Sequence, residues 1–203
     1  MATLRDTSLG SYLDDVSGSS PTPGGGSVAA VVAALAAALG SMVTALAARK
    51  NENESIRILA EKCRAYRETF LQLGTEDQAA FEAVMAALKL SKEDSARPAQ
   101  VEATVQRAAR APLAVAQSCF DFLVDLESLT TQASRHAISD VGAAAHFALA
   151  ALRASLLNVH INCTFMKDQA TAAAFEAAAS ELEAKGAARS QRIVDQVLAR
   201  IRG

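Results

Sequence analysis

The stretch ISDVGAAAHFALAALRASLLNVHINCTF, residues 138–165, decides how the chain folds. Ile138, Val141, Ala145, Leu149, Leu152, Leu156, Val159 and Cys163 recur every three or four residues, the repeat of one face of an α-helix. Beside this stripe runs a polar row of Asp140, Ser155, Asn158 and Asn162, with Ala144, Ala148 and Ala151 among them. The helix has the composition of a buried one, and buried polar groups need partners. Neighbouring helices can supply them, and so can a ligand. If the helix is unbroken, Asp140 and Asn158 stand about 27 Å apart along its axis. They then serve different parts of a long ligand, or sites in different subunits.

The rest of the chain repeats the helical signal, and strand patterns are nearly absent. Helices are expected over about Ser8–Val16, Val28–Arg49, Glu54–Leu90, Ala99–Leu129 and Asp168–Arg200. In the first, Leu9, Tyr12, Leu13 and Val16 share a side. In the second, Val28, Val31, Val32, Leu35, Leu39, Met42, Val43 and Leu46 form the large apolar stripe, opposite a face of Ala and Gly. Gly74 is a candidate break in the third, and Pro112 is expected to kink or restart the fourth. Asn51-Glu52-Asn53 reads as a turn. The expected fold is all-α, an antiparallel bundle of about six helices in one domain over residues 1–203.

Composition narrows the function. The 203 residues carry 20 Lys and Arg against 22 Asp and Glu, a formal net charge of −2. That balance offers no basic surplus for a nucleic acid backbone. Cys63, Cys119 and Cys163 are dispersed, which suits reduced, buried thiols in the cytoplasm. His136, His146 and His160 are too scattered for a metal site or a catalytic triad, so no metal is expected. The N-terminus lacks the basic and apolar runs of a signal peptide. Ser27 to Ala48 is uncharged and long enough to span a bilayer, but its Ala, Gly and Ser content favours a central helix of a bundle over a membrane span.

Two local features invite chemistry. Pro21-Thr22-Pro23-Gly24-Gly25-Gly26-Ser27 is the one Pro/Gly-rich loop. Its glycines allow φ above zero and close approach to a ligand, and the following helix start attracts anions. Ser27 is placed to cap that helix. The loop reads equally as a hinge before a capped helix. Asp77 precedes an apolar helical stripe, which fits either helix capping or a carboxylate in a cleft. Lys89 and Lys92 can meet an anionic tail or simply face water.

Three stretches together resemble one family. They are Pro21 to Ala30; Asp77-x-x-Ala80-Phe81-x-x-Val84-Met85-Ala86-Ala87 with Lys89-Leu90-Ser91-Lys92; and Ala137-Ile138-Ser139-Asp140-Val141-Gly142 with Leu157-Asn158-Val159-x-Ile161-Asn162. Their order and spacing are similar to those of the formiminotetrahydrofolate cyclodeaminase and methenyltetrahydrofolate cyclohydrolase family. The resemblance implies an all-α homodimer that acts on a tetrahydrofolate derivative without a separate cofactor or metal. It implies hydrolysis of 5,10-methenyltetrahydrofolate to 10-formyltetrahydrofolate. The alternatives are the cyclodeaminase reaction or non-catalytic binding of a folate or other small acid. On this reading Asp77 or Asp140 is the general base or the electrostatic partner of the cationic substrate. Asn158 and Asn162 orient the pterin amide edge. Pro23, Gly24, Gly25, Gly26 and Ser27 receive substrate oxygens, and Lys89 and Ser139 complete the binding set.

Overall fold

Small side chains set the helix spacing. The computed structural model describes residues 3–50 and 53–203, so Asn51 and Glu52 of the expected turn lie outside the described residues. The elements are α1 (Leu9–Ser17), α2 (Gly25–Ala48), α3 (Glu54–Leu88), α4 (Arg97–Leu126), the one-turn α5 (Leu129–Gln132), α6 (Ile138–Phe165) and α7 (Gln169–Arg202). No strand occurs among the described residues. The all-α expectation holds, and the boundaries of α6 are those read from its stripe.

Successive long helices run antiparallel. Helices α2, α3, α4 and α6 close a ring, each packed on the next, and α7 lies over α6 and α4. Local chemistry sets their starts. Ser8 caps α1 through the Ser11 amide, Asn53 caps α3 through the Ile56 amide, and Asp168 caps α7 through two amides, each satisfying donors that the first turn leaves free. Pro98 sits in the first turn of α4, where its missing N–H costs nothing.

Four expectations change. First, the two faces of α2, both open to packing in the sequence, are not packed alike. Ala29, Ala30, Ala33, Ala34, Ala36, Ala37, Gly40, Thr44 and Ala47 are buried; of the large stripe Val43 is buried and Val32, Leu39 and Leu46 pack partly against the core, while Leu35 and Met42 are exposed. Close-packed interiors reward near approach of helix axes, and alanine permits it. At Gly40 a Cβ would lie 3.0 Å from Cys63 Sγ and 3.3 Å from the Phe122 ring. Second, α3 runs unbroken through Gly74. That glycine serves a close crossing, where a Cβ would stand 3.1 Å from the Ala30 Cβ. Third, α4 continues through Pro112 without a restart. Fourth, no described glycine has positive φ, so the glycine loop does not exploit that freedom.

Helices α2 and α6 are long and apolar enough to cross a membrane by length and composition. Both are members of the central ring, and half of each apolar window is buried inside the fold, as expected of a core helix.

Candidate active site

The start of α2 meets α3, α4 and the last third of α6 in one cleft of about 270 Å³. Its wall is Pro21, Thr22, Gly24, Gly25 and Gly26 from the loop and first turn, Asp77 and Phe81 from α3, and Ala108 from α4. Asn158, Ile161, Asn162 and Phe165 of α6 close it. Two residues a turn apart on α3 and four at helical spacing on α6 thus face one space.

Gly24 caps α2 in extended backbone and, as a glycine, makes no side-chain capping bond. Ser27 is therefore not the cap expected from sequence. It lies inside the first turn and is fully buried. The group that meets this helix start is the Asp77 carboxylate. A Cβ on Gly26 would fall 2.4 Å from its Oδ1 and 2.6 Å from its Oδ2, so the carboxylate occupies the space that any other residue would fill. Glycine is needed here for room rather than for backbone freedom. The Ser27 amide faces the same carboxylate. The helix start attracts an anion as expected, but the anion is the protein's own.

Burial governs the charge of Asp77. Partial removal from water raises its pKa from 3.8 to about 6, and the Ser27 amide opposes the rise. Desolvation wins because one backbone donor does not replace a hydration shell. The carboxylate is ionised at neutral pH yet poised to accept a proton just below it, as suits a general base.

The two asparagines are anchored by their amide nitrogens. Asn158 Nδ2 donates to Ala154 O at 2.9 Å; Asn162 Nδ2 donates to Ala108 O at 3.0 Å and Asn158 O at 2.7 Å. Their Oδ1 atoms accept no hydrogen bond among the described residues, and so remain available to donors in the cleft. A Cβ on Gly25 would lie 3.4 Å from Asn158 Nδ2, an ordinary contact. The polar row of α6 divides accordingly: Asn162 bridges helices, Asn158 borders the cleft, and Ser155 Oγ is buried without a partner among the described residues.

The structure brings together Gly24, Gly25, Gly26, Asp77, Asn158 and Asn162 of the residues marked in the sequence. Pro23 lines an adjacent cleft with Tyr12, Thr22, Gln78 and Glu82. Lys89 caps the exposed end of α3, and Ser139 and Asp140 stand in the first turn of α6. None of these three borders the cleft. The unbroken α6 keeps Asp140 about 27 Å from Asn158, so its carboxylate can reach a cleft of this kind only on a second copy. Sequence reasoning passed over Thr22, Phe81, Ile161 and Phe165 as site residues. Ile161 and Phe165 follow Asn158 at i+3 and i+7, spacing that could have found them.

Fold and cleft together define a class: an all-helical protein with a desolvated carboxylate, acceptor amides and aromatic walls in one open groove. The formiminotransferase-cyclodeaminase family model matches residues 8–181, and the chain belongs to that family. It is 34% identical to the methenyltetrahydrofolate cyclohydrolase of Methylorubrum extorquens, over 94% of this chain and 95% of that protein. It is 32% identical to the formimidoyltransferase-cyclodeaminase of Mus musculus, matching 81% of this chain and spanning 32% of that longer protein. The crystal structure of formiminotetrahydrofolate cyclodeaminase from Thermotoga maritima superposes with a TM-score of 0.89 at 28% identity, covering 97% of this chain and 98% of that one.

Proposed function

We propose that the chain hydrolyses 5,10-methenyltetrahydrofolate to 10-formyltetrahydrofolate, with Asp77 as the general base. The observation that carries the reading is the Asp77 carboxylate, half-buried against Gly26 at the mouth of an aromatic-walled cleft. The similarity to the Methylorubrum cyclohydrolase over nearly both whole chains supports it. The substrate is a flat cation whose reacting carbon lies between two nitrogens. A desolvated carboxylate beside it stabilises that charge. Asp77 accepts a proton from the attacking water, giving a neutral hydroxyl adduct. The protonated carboxyl then returns a proton to the departing nitrogen, the C–N bond breaks, and the hydroxyl loses its own proton as the formyl C=O forms. One proton is released overall. The free Oδ1 atoms of Asn158 and Asn162 suit the N–H donors of a pterin amide edge. Phe81 and Phe165 offer faces to its ring.

The base must be ionised to act. Rate is therefore lost as pH falls through the Asp77 pKa of about 6 and reaches a plateau above it. A kcat/KM profile from pH 5 to 8 is expected to show this acid limb. A flat profile contradicts the assignment.

A second reading, cyclodeamination of a formimino substrate, is favoured by the Thermotoga neighbour. The same groups would assist ammonia departure. Methenyl- and formimino-tetrahydrofolate assayed side by side separate the two, and turnover of neither leaves only a binding protein.

The working unit we infer is a homodimer. Leu35 of α2 is 55% exposed, and Leu157, Ile161 and Phe165 of α6 are 69%, 53% and 65% exposed. Helices α2 and α6 pack side by side, and we take these exposed apolar residues as the face on which a second copy docks, since grouped exposed apolar side chains mark interaction sites. At about 270 Å³ the cleft is also below the roughly 300–1,000 Å³ usual for small-molecule sites. A second copy on this face enlarges it. Leu35→Glu with Leu157→Glu is expected to convert a dimer to a monomer in analytical ultracentrifugation and to raise KM. A wild-type monomer sinks the inference. The three cysteines are unpaired and buried, as suits a reducing compartment such as the cytoplasm.

A further inference from the structure

Helix α1 contributes nothing to the wall of the cleft, yet its one buried residue, Tyr12, ends behind it. The Tyr12 hydroxyl lies 3.0 Å from Ser27 Oγ, which also accepts from Gln78 Nε2 at 2.9 Å. Ser27 is fully buried and belongs to the first turn of α2. Gln78 directly follows Asp77 on α3. The side chain of Ser27 is thus held from two sides, by α1 and α3, while its backbone amide faces the Asp77 carboxylate. We propose that Tyr12, Ser27 and Gln78 form a positioning network that holds the first turn of α2 against Asp77, and that Tyr12 is a positioning residue for the hydrolysis.

Three features support this. The network fixes the two elements whose contact makes the site, α2 through Ser27 and α3 through Gln78. The Tyr12 and Ser27 hydroxyls bond each other in a buried place and Ser27 also accepts from the half-buried Gln78, and a missing partner there is costly. The remaining surface of α1 is loosely engaged: Leu9 and Leu13 are exposed, so Tyr12 is its principal tie to the site. A plain anchor for α1 would need only the Tyr12 ring. The hydroxyl reaches further, to the residue whose amide borders the base.

The electrostatic surroundings are simple enough for a clean test. From α2, α4 and α6 the cleft presents Gly25, Gly26, Ala108, Asn158 and Asn162, none ionisable. From α1, Tyr12 interacts electrostatically with Asp77, and burial holds its phenol above the ordinary value, so it stays neutral through the assay range. Asp15 of α1 and Glu82 of α3 line the adjacent cleft.

The proposal rests on Asp77 being the base, and Tyr12→Phe tests it while keeping the ring. The expected result is a kcat lowered about two- to tenfold, the scale of one lost hydrogen bond, with KM unchanged. The acid limb of kcat/KM shifts upward, because a loosened Ser27 amide lowers the Asp77 pKa less. Gln78→Met, which keeps length and removes the donor, is expected to act in the same direction. In a double-mutant cycle, Tyr12→Phe adds no further loss to Ser27→Ala. Wild-type kcat and acid limb in both Tyr12→Phe and Gln78→Met, with only melting temperature lowered, overturn the proposal. Multiplying losses in the double variant do so too. The reading beneath it fails separately: if Asp77→Asn retains full turnover, Asp77 is not the base and there is nothing for Tyr12 to position.

Discussion

Asp77→Asn is expected to lower kcat for methenyltetrahydrofolate hydrolysis about 10²–10⁴-fold, the usual worth of a positioned acid-base group, and to make the protein more stable. The first effect follows from removing the proton acceptor while keeping shape. The second follows from burial. The folded chain holds the Asp77 proton more tightly than the unfolded chain does, with a pKa of about 6 against 3.8. Between those values the folded state binds more protons, so the Asp77 contribution to stability is fully present below 3.8 and is lost as pH rises to about 6. Above that window the ionised carboxylate is a standing cost. Each pK unit corresponds to about 1.4 kcal/mol; allowing for the solvent that still reaches the group, the relief is on the order of 1–2 kcal/mol. For a chain of this size that raises Tm by about 2–8 °C at pH 7.5, and the gain should vanish near pH 4. Thermal melts of both proteins at the two pH values check it. An inactive variant that is also destabilised at pH 7.5 would mean that the carboxylate acts chiefly as a structural cap of α2.

Gly26→Ala is expected to be the next most damaging change, for the opposite reason: it leaves every reacting group in the sequence and displaces one. The added Cβ would sit 2.4–2.6 Å from all three atoms of the Asp77 carboxylate group. Real contacts of that length do not exist, so either Asp77 rotates away or α2 retreats. Misplacement on the order of 1 Å can cost about 10²-fold in rate, and a loss of at least that size is expected in kcat/KM. Secondary structure should survive, because alanine is the better helix former by about 1 kcal/mol. Gly10→Ala in α1, outside the cleft, is the matched control. Nothing lies within 4 Å of the place its Cβ would take, and activity is expected to stay within a few-fold. Equal activity in the two alanine variants would show that the carboxylate has room to spare and that the tight fit has no bearing on rate.

The fold was legible because α6 and α7 carry their own boundaries: a continuous stripe in one, and Asp168 as a ready cap in the other. The face of α2 was not legible. Periodicity finds large side chains, whereas this helix packs largely through small ones, and nothing in the spacing marks Leu35 and Met42 as the exposed members of a stripe whose Val43 is buried. The same confusion touched the glycines. A run of three suggests backbone freedom, but Gly26 is there because a carboxylate from another helix fills its Cβ position. Nothing local to residues 21–27 announces that partner, 51 positions downstream in the case of Asp77. Asp77 stood out as a carboxylate before an apolar stripe, and Asn158 and Asn162 as part of a polar row on a buried helix; the family resemblance supplied their expected roles, and the structure adds why they share one space. Asp140 fits the same pattern yet sits at the far end of α6. Tyr12 and Gln78 carried no signal in one sequence, since a buried tyrosine on a short amphipathic helix looks like packing alone.

The most direct test is the pH dependence of methenyltetrahydrofolate hydrolysis, followed by loss of the substrate's near-ultraviolet absorbance, for the natural chain and Asp77→Asn in parallel. The expected result is catalytic turnover with an acid limb near pH 6 that disappears with Asp77. A shifted spectrum without turnover, or an unchanged limb in the variant, would contradict it.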